Sequence, residues 1–467
     1  MGFIMQMTGI FTIIPIILSF VFNESSATIA LFITATAFLA LGFILNALCE
    51  RKELTFKQSS SLIILVFIFL SILGAIPYLY IPISNGDTLK MITDAIFESA
   101  SGFTTTGFSV IPDLSVIPKS ILFYRALTQF IGGIGIVLIL LTFFYPEDKL
   151  KEFSRSMGFP ENYKIKKTFY LILFIYFVSS VIMLGVGFLF GYKDIITLIS
   201  LIFSALSTGG FTPLNDITNV AIQSPMNYIL IISMILGASN FIVLAGLFRL
   251  KIKEFIKSEV SIFIILAALS VAVMQFFFKF SLFDSIFHVI SAMSTTGFSY
   301  LSISGFPSNP KLFFVFLMFV GGASFSTAGG IKIFRLILMY KAMKKAITDS
   351  ITRQDTPIKM FGKEYSNGEV INSLVLILLM AGIILVSSMV VSSYGFSLLD
   401  SIFEVTSAIT ATGLGVGIIG PSLAFELKWL FMLLMVLGRV EIFAFLIMIS
   451  RTKEQKKSFP NQLRDKQ

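Results

Sequence analysis

SASGFTTTGFS (99–109), SALSTGGFT (204–212), SAMSTTGFS (291–299) and SAITATGLG (407–415) are four copies of one short string. Aligned on Gly107, Gly210, Gly297 and Gly413, they agree column by column. Six residues before each glycine stands a serine (Ser101, Ser204, Ser291, Ser407), and five before it a small residue (Gly102, Ala205, Ala292, Ala408). Three before is a hydroxyl (Thr104, Ser207, Ser294, Thr410), and directly after comes Phe108, Phe211, Phe298 or Leu414. Thirteen before is Asp94, Asp284 or Asp400, with Thr197 the exception. Each string follows a helix-like stretch and precedes a long apolar run. Four such loops spread along one chain predict four quasi-equivalent units around an axis. In so apolar a protein, an ion is the natural occupant of that axis.

The chain has 467 residues, of which 56% are hydrophobic and only 13% charged, with 52 Phe. A soluble chain of this length does not hide that much apolar surface, so the composition predicts a polytopic, all-α membrane protein. A helical span needs about 20 apolar residues. Such runs lie near 8–22, 27–48, 62–80, 120–144, 168–190, 226–248, 260–280, 312–340, 370–392 and 427–450. The first has no basic region ahead of it and no small-residue cleavage site behind it. It reads as a retained span rather than a signal peptide.

Of the 35 Lys and Arg, 26 fall within 50–61, 147–168, 249–259, 335–368 and the tail after Ser450. Those places share one side if the spans alternate and the glycine strings dip in from the other. Basic residues collect in cytoplasmic loops, so the strings open to the exterior of a cell (cytoplasmic) membrane. That placement accounts for the net positive charge without nucleic acid as a partner. The single Cys49 forms no intramolecular disulfide.

Each repeat reads as span, short amphipathic helix, glycine string and span. The short helices are clearest at 284–294 and 400–410, where Asp284 and Asp400 stand at N-cap-like positions, as Asp94 does in the first repeat. About ten residues cannot cross a bilayer as a helix, so these segments are expected to be re-entrant or extramembrane. A half-buried helix aiming its C-terminus inward presents partial negative charge to a cation. The string that follows offers main-chain carbonyls in place of water, and four strings make a ring of oxygens. Glycine lets a carbonyl turn toward the axis without a side-chain clash. The hydroxyls tie the strings to their helices or add ligands, and the following Phe wedges the strand against the surrounding helices. The bland alternative is a tight turn repeated only because a duplicated fold packs that way.

These strings, with GGIGI after the first, GGASFSTAGGIK in the third and LGRVEIF in the fourth, resemble the Trk/Ktr/HKT superfamily of potassium and sodium uptake proteins across the whole chain. Two spans before residue 50 make the resemblance closest to the TrkH branch. The resemblance implies four helix–pore loop–helix units around one central pore: 50–150, 151–250, 251–360 and 361–450, after an N-terminal helix pair (1–49) and before a basic tail (451–467). It implies a K⁺ filter of Thr105, Thr106 and Gly107; Thr208, Gly209 and Gly210; Thr295, Thr296 and Gly297; and Ala411, Thr412 and Gly413. It also implies a homodimer and a cytoplasmic nucleotide-binding regulatory subunit of the TrkA or KtrA kind. The strings are unequal, with Gly209 in place of a threonine and Ala411, Leu414 and Gly415 in the fourth.

GGASFSTAGG (321–330) interrupts the third inner span with four Gly and three Ser or Thr. At about 1 kcal/mol per Gly, such a run is a poor helix. The freed backbone groups need partners that a watery cavity below a filter can supply. The run, with Gly321, Gly322, Gly329 and Gly330 in doublets at its two ends, reads as an intramembrane loop that obstructs the pore just inside the filter and moves to open it; the resemblance implies the same gating role, with Lys332 at the loop's end. The competing reading is close helix packing on small residues. Arg439 lies mid-span in the fourth inner helix, where an unpaired charge costs about 2.5–3.5 kcal/mol. It is expected to act as an electrostatic barrier or a latch on the glycine loop, or else to pair with Glu98 or Glu404. Glu441 points elsewhere, since side chains at i and i+2 do not meet.

His288, the only histidine, takes the pore-helix position of Glu98 and Glu404 and reads as a packed, hydrogen-bonded residue. Lys428 and Trp429, the lone Trp, read as an anchor at the outer membrane face. The loop 341–363 and the basic tail are candidate docking segments for the regulator. The chain carries no G-x-G-x-x-G or Walker signature, so no nucleotide cofactor is expected in it. With one His, one Cys and no acidic cluster, the chain has few of the groups an enzyme needs. A transporter coupled to H⁺ or Na⁺ is the alternative to a channel-like K⁺ pore, although coupling by protons usually uses intramembrane carboxylates or histidines.

Overall fold

The computed structural model describes residues 1–49, 56–84, 86–143, 165–222, 225–248, 252–352, 357–361, 363–440 and 442. Glu441, the tail 451–467 and residues 353–356 and 362 of the long basic loop lie outside the described residues. Among the described residues, six segments are helical, long and apolar enough to cross a membrane: Gly2–Val21, Ser25–Leu48, Ser60–Tyr80, Tyr170–Leu189, Glu259–Phe276 and Asn367–Ser392. The last four are the outer helices of the four repeats, and their large apolar side chains face outward, as at Phe174, Leu269 and Leu378. An apolar residue on a lipid-facing surface needs no further partner.

Inside this shell sit four short helices: Thr88–Phe103, Ile195–Leu206, Leu282–Met293 and Leu398–Ile409. Each is amphipathic and, toward its C-terminal end, buried nearly all round, which explains why so short an apolar segment is helical at all. Their capping differs from the sequence expectation. Ser281 and Ser397 are the N-caps, accepting from the N–H groups of Asp284 and Asp400 at 3.1 Å in both cases. The aspartates therefore stand three residues past the cap, in the arrangement Ser-x-x-Asp, and Asp94 lies seven residues past the N-cap Asp87 of a longer helix. A serine cap frees the aspartates for other partners.

Those partners tie neighbouring repeats together. Lys311, at the start of the third inner helix (Ser308–Val320), pairs with Asp400 of the fourth pore helix at 2.8 Å. Lys428, in the fourth inner helix (Phe425–Val440), pairs with Asp94 of the first. Lys428 is thus buried within the protein rather than reaching to the membrane face, while Trp429 keeps an exposed ring beside Phe425. A buried lysine cannot go unpaired in a low dielectric, and Asp94 supplies the charge.

The four inner helices are unequal. The first, Lys119–Phe143, is continuous. Glu24, in the turn between the two N-terminal spans, accepts from the N–H groups of Lys119 (2.7 Å) and Ser120 (3.0 Å), so the N-terminal pair is docked through a carboxylate on a helix N-terminus. The run 226–248, expected to be one span, is two helices, Met226–Ala238 and Phe241–Phe248, with the chain bent by 114° between them. Asn240 supports the restart by accepting from the Ile242 N–H at 2.9 Å. The third inner helix stops at Val320 and resumes at Ile333, with the segment 321–332 between.

Three inner-helix glycines complete the packing. A Cβ on Gly132 would strike Phe103 O, one on Gly237 would meet Leu206 O at 2.5 Å, and one on Gly438 would strike Ile409 O. Each is a pore-helix carbonyl four residues before a string glycine. Only a residue without Cβ lets the inner helix approach that closely.

Candidate ion pore

Every pore helix ends in the same way. Its last carbonyls are closed by a pair of main-chain bonds: Thr106 N–H to Ser101 O (2.9 Å) with Thr105 N–H to Gly102 O (3.0 Å) in the first repeat. The same pair recurs from Gly209 and Thr208, from Thr296 and Thr295, and from Thr412 and Ala411. This is a Schellman closure, which demands a left-handed residue just past the helix. Glycine is the usual choice, yet here it is Thr105, Thr208, Thr295 or Ala411, with φ of 55°, 52°, 54° and 52°. A β-branched residue held there costs on the order of 1–3 kcal/mol, a strain that structures retain at functional sites. The main-chain carbonyl of the serine column is the acceptor in all four copies, a role that does not require serine; of the side chains, Ser291 Oγ donates to Phe298 O at 2.6 Å.

Two residues on, each glycine is again left-handed, with φ of 88° (Gly107), 78° (Gly210), 85° (Gly297) and 82° (Gly413). The glycines sit edge to edge with neighbouring strings. A Cβ on Gly107 would run into Gly209 O; on Gly210, into Thr296 O; on Gly297, into Thr412 O; on Gly413, into Thr106 O. The contacts run from first string to second, second to third, third to fourth and fourth back to first. That is a closed ring. In every string the glycine is half-buried, while the residue before it and the Phe or Leu after it are buried. At these positions the half-exposed part of each string is therefore glycine backbone.

The strings are fixed from behind. Thr104 Oγ1 lies 2.9 Å from Thr106 Oγ1, and the equivalent pairs Ser294–Thr296 and Thr410–Thr412 are 2.7 Å apart. Glu98 accepts from Ser109 Oγ (3.0 Å) and Val110 N–H (3.1 Å), and Arg125 donates to it through Nε (2.8 Å) and Nη2 (2.6 Å). Arg125 also donates to Thr212 O (2.9 Å) and lies over the Phe211 ring, which joins the first repeat to the second string. Glu404 fills the same role in the fourth repeat with main-chain donors alone, Val416 N–H and Ile419 N–H, both at 2.8 Å. His288, in the third, is buried; its Nδ1 lies 2.9 Å from Asp284 O and its ring packs on Tyr300.

Arg125 escaped the sequence reading, because nothing in its local pattern marks a partner 27 residues away. Removing it leaves a carboxylate buried without its cation, a loss of about 3–5 kcal/mol. Arg125→Ala is expected to yield little folded protein by detergent size-exclusion chromatography, and Arg125→Met with Glu98→Gln to restore much of it. On the outer surface the two repeats also meet, where Asn215 donates to Asp113 at 2.7 Å and accepts from Leu114 N–H at 2.7 Å. The bonds from Asn215 and Ser115 hold the Asp113 carboxyl below the ordinary carboxylate range.

Beneath the ring lies the segment 321–332. Gly321 (φ 69°), Phe325 (57°), Gly330 (75°) and Lys332 (77°) are left-handed, so it cannot be a helix. Its polar backbone is satisfied by three neighbours. Ala323 N–H and Thr327 N–H donate to Ala238 O (3.0 Å) and Gly237 O (3.1 Å), carbonyls at the bend of the second inner helix. Gly329 N–H donates to Thr295 Oγ1 at 2.6 Å, Thr208 Oγ1 is 3.3 Å from Thr327 Oγ1, and a Cβ on Gly329 would strike Thr410 O. The strained threonines thus turn their hydroxyls onto this segment in the second and third strings. Ser324 N–H donates to the buried Glu259 at 2.7 Å, and Lys332 Nζ donates to Ala328 O.

Arg439 completes the attachment. It is buried and donates through Nη1 to Thr327 O and through Nη2 to Gly132 O, both at 2.8 Å. The expected ion pair with Glu98 or Glu404 is not formed: Glu98 is held by Arg125, and Glu404 by main-chain N–H groups. Arg439 instead clasps main-chain oxygens of the glycine segment and the first inner helix. Two carbonyls on the guanidinium offset part of the cost of its burial, while Nε has no partner among the described residues.

The family profile described as "TrkH: Cation transport protein" matches residues 27–260 and 253–461. An uncharacterized cation transporter of Methanocaldococcus jannaschii is 28% identical over 464 residues, covering 96% of this chain and 94% of that one. The Trk system potassium uptake protein TrkH of Escherichia coli is 25% identical over 435 residues, covering 86% and 87%. The crystal structure of the potassium transporter TrkH from Vibrio parahaemolyticus superposes with a TM-score of 0.83 over 96% of this chain and 97% of that chain, at 22% identity. That degree of likeness establishes a shared fold.

Proposed function

Because the chain belongs to the TrkH family of cation transport proteins, we propose that it is the ion-translocating subunit of a Trk-type potassium uptake system, working as a gated pore. The observation that carries this reading is the closed cycle in which each string glycine abuts a carbonyl of the next string. A dehydrated cation is held by a ring of main-chain oxygens at fixed spacing. Residues 105–107, 208–210, 295–297 and 411–413 supply that ring, and K⁺ is the cargo. Relatives named for potassium uptake support the choice of ion.

The segment 321–332 is the gate. Its bonds to Thr208, Thr295 and Arg439 hold it under the ring, and conduction requires it to move aside. Gly321, Gly322, Gly329 and Gly330 give it that freedom, and Lys332 fastens its end. The chain works as a homodimer with a cytoplasmic nucleotide-binding regulator of the TrkA or KtrA kind, which supplies the force that opens the gate. Any nucleotide is carried by that partner.

Purified protein in liposomes tests the reading. K⁺ flux is expected to follow the K⁺ gradient and the voltage with the pH held equal on both sides. Flux that stops when a proton or Na⁺ gradient is collapsed would overturn the pore in favour of coupled transport.

A further inference from the structure

Three of the four strings are tied to their own pore helix by a pair of hydroxyls, and the second is not. Ser207 keeps its hydroxyl, but residue 209 is glycine and offers nothing to answer it. The space is filled from another repeat. Gln129, buried on the first inner helix and 80 residues away, donates through Nε2 to Gly209 O at 2.6 Å. Its Oε1 accepts from Phe211 N–H at 3.1 Å. One amide orientation satisfies both bonds, since a carbonyl only accepts and an N–H only donates. A Cβ on Gly209 would meet Gln129 Cδ at 2.5 Å and Oε1 at 2.6 Å. A threonine at 209 therefore displaces the Gln129 amide from both bonds.

We infer that Gln129 is a specificity-determining positioning residue, whose amide stands in for the missing threonine and sets the spacing of the second string. The inference rests on reading the strings as the K⁺ filter. Gly209 O is the carbonyl that abuts Gly107, so Gln129 fixes the seam between first and second strings at the point where the fourfold pattern is broken. Discrimination between K⁺ and Na⁺ depends on oxygens that do not follow the smaller ion inward. A carbonyl anchored from behind resists that movement.

The test uses the full chain in liposomes, with the K⁺/Na⁺ permeability ratio read from reversal potentials. Wild type that fails to discriminate defeats the filter reading itself. With a selective wild type, Gln129→Glu, which keeps the shape but loses the donor, is expected to lower the ratio about tenfold while K⁺ still flows. Gln129→Ala should do the same. Gly209→Thr alone should lose both flux and selectivity by collision with Gln129. The double variant Gln129→Ala/Gly209→Thr should recover most of the ratio, a coupling that general destabilisation does not produce. A ratio unchanged in Gln129→Glu, or a double variant no better than Gln129→Ala, overturns the assignment.

Discussion

Serine in place of Gly297 is expected to abolish most discrimination between K⁺ and Na⁺. The left-handed backbone at this position (φ 85°) costs an L-residue about 1–2 kcal/mol. The new Cβ also collides with Thr412 O, which belongs to the next string, and overpacking of this kind adds about 1–3 kcal/mol. Neither string can yield alone, because both are pinned by Schellman closures and hydroxyl pairs. The carbonyl of Thr412 must shift, and a site distorted by about 3 kcal/mol changes an ion's preference roughly a hundredfold. Reversal potentials under bi-ionic K⁺ and Na⁺ read the effect. Gly382→Ser is the control, since a Cβ there meets nothing within 4 Å. An unchanged ratio in Gly297→Ser would remove the ring from the selectivity mechanism.

Arg439→Met is expected to raise K⁺ flux. Methionine retains much of the volume but donates nothing, so Thr327 O and Gly132 O lose the group that joins them. Hydrogen bonds from a charged donor contribute about 1.5–3 kcal/mol each, so on the gating role proposed above, losing the one to Thr327 O shifts the segment's equilibrium toward release by roughly tenfold or more. Flux per protein in liposomes, with protein amount measured, checks the outcome. Flux at or below wild type would mean that the arginine maintains the pore instead of holding it shut.

The strings were legible in the sequence because their chemistry is local. A glycine, a hydroxyl and a helix C-terminus within a dozen residues specify the turn, and fourfold recurrence separates it from chance. The glycine doublets around 321–330 likewise announced a break, since no helix tolerates them at both ends. What escaped was settled between repeats. The run 226–248 lacks proline, and its local signal for a break, Gly237 with Ser239 and the capping Asn240, is small beside the apolar residues on either side; the carbonyls of residues 237 and 238 at the bend accept from the N–H groups of residues 327 and 323. Lys428 looked like a membrane anchor because its partner, Asp94, is 334 residues away. Gln129 carried no signal in its own helix. The only trace was the gap at Gly209, an irregularity in one column that pointed to a substitute from elsewhere.

The tethered segment at 321–332 touches strings two, three and four and, through Arg439, the first inner helix. A pore assembled from four identical subunits would have to place four such plugs in one volume, and they would collide. Fusing the quarters into a single polypeptide removes that conflict. On the gating role proposed above, one quadrant is free to carry a stopper while its siblings serve as seats for it, and the imperfect symmetry of the four strings is the condition of an asymmetric valve on a symmetric hole.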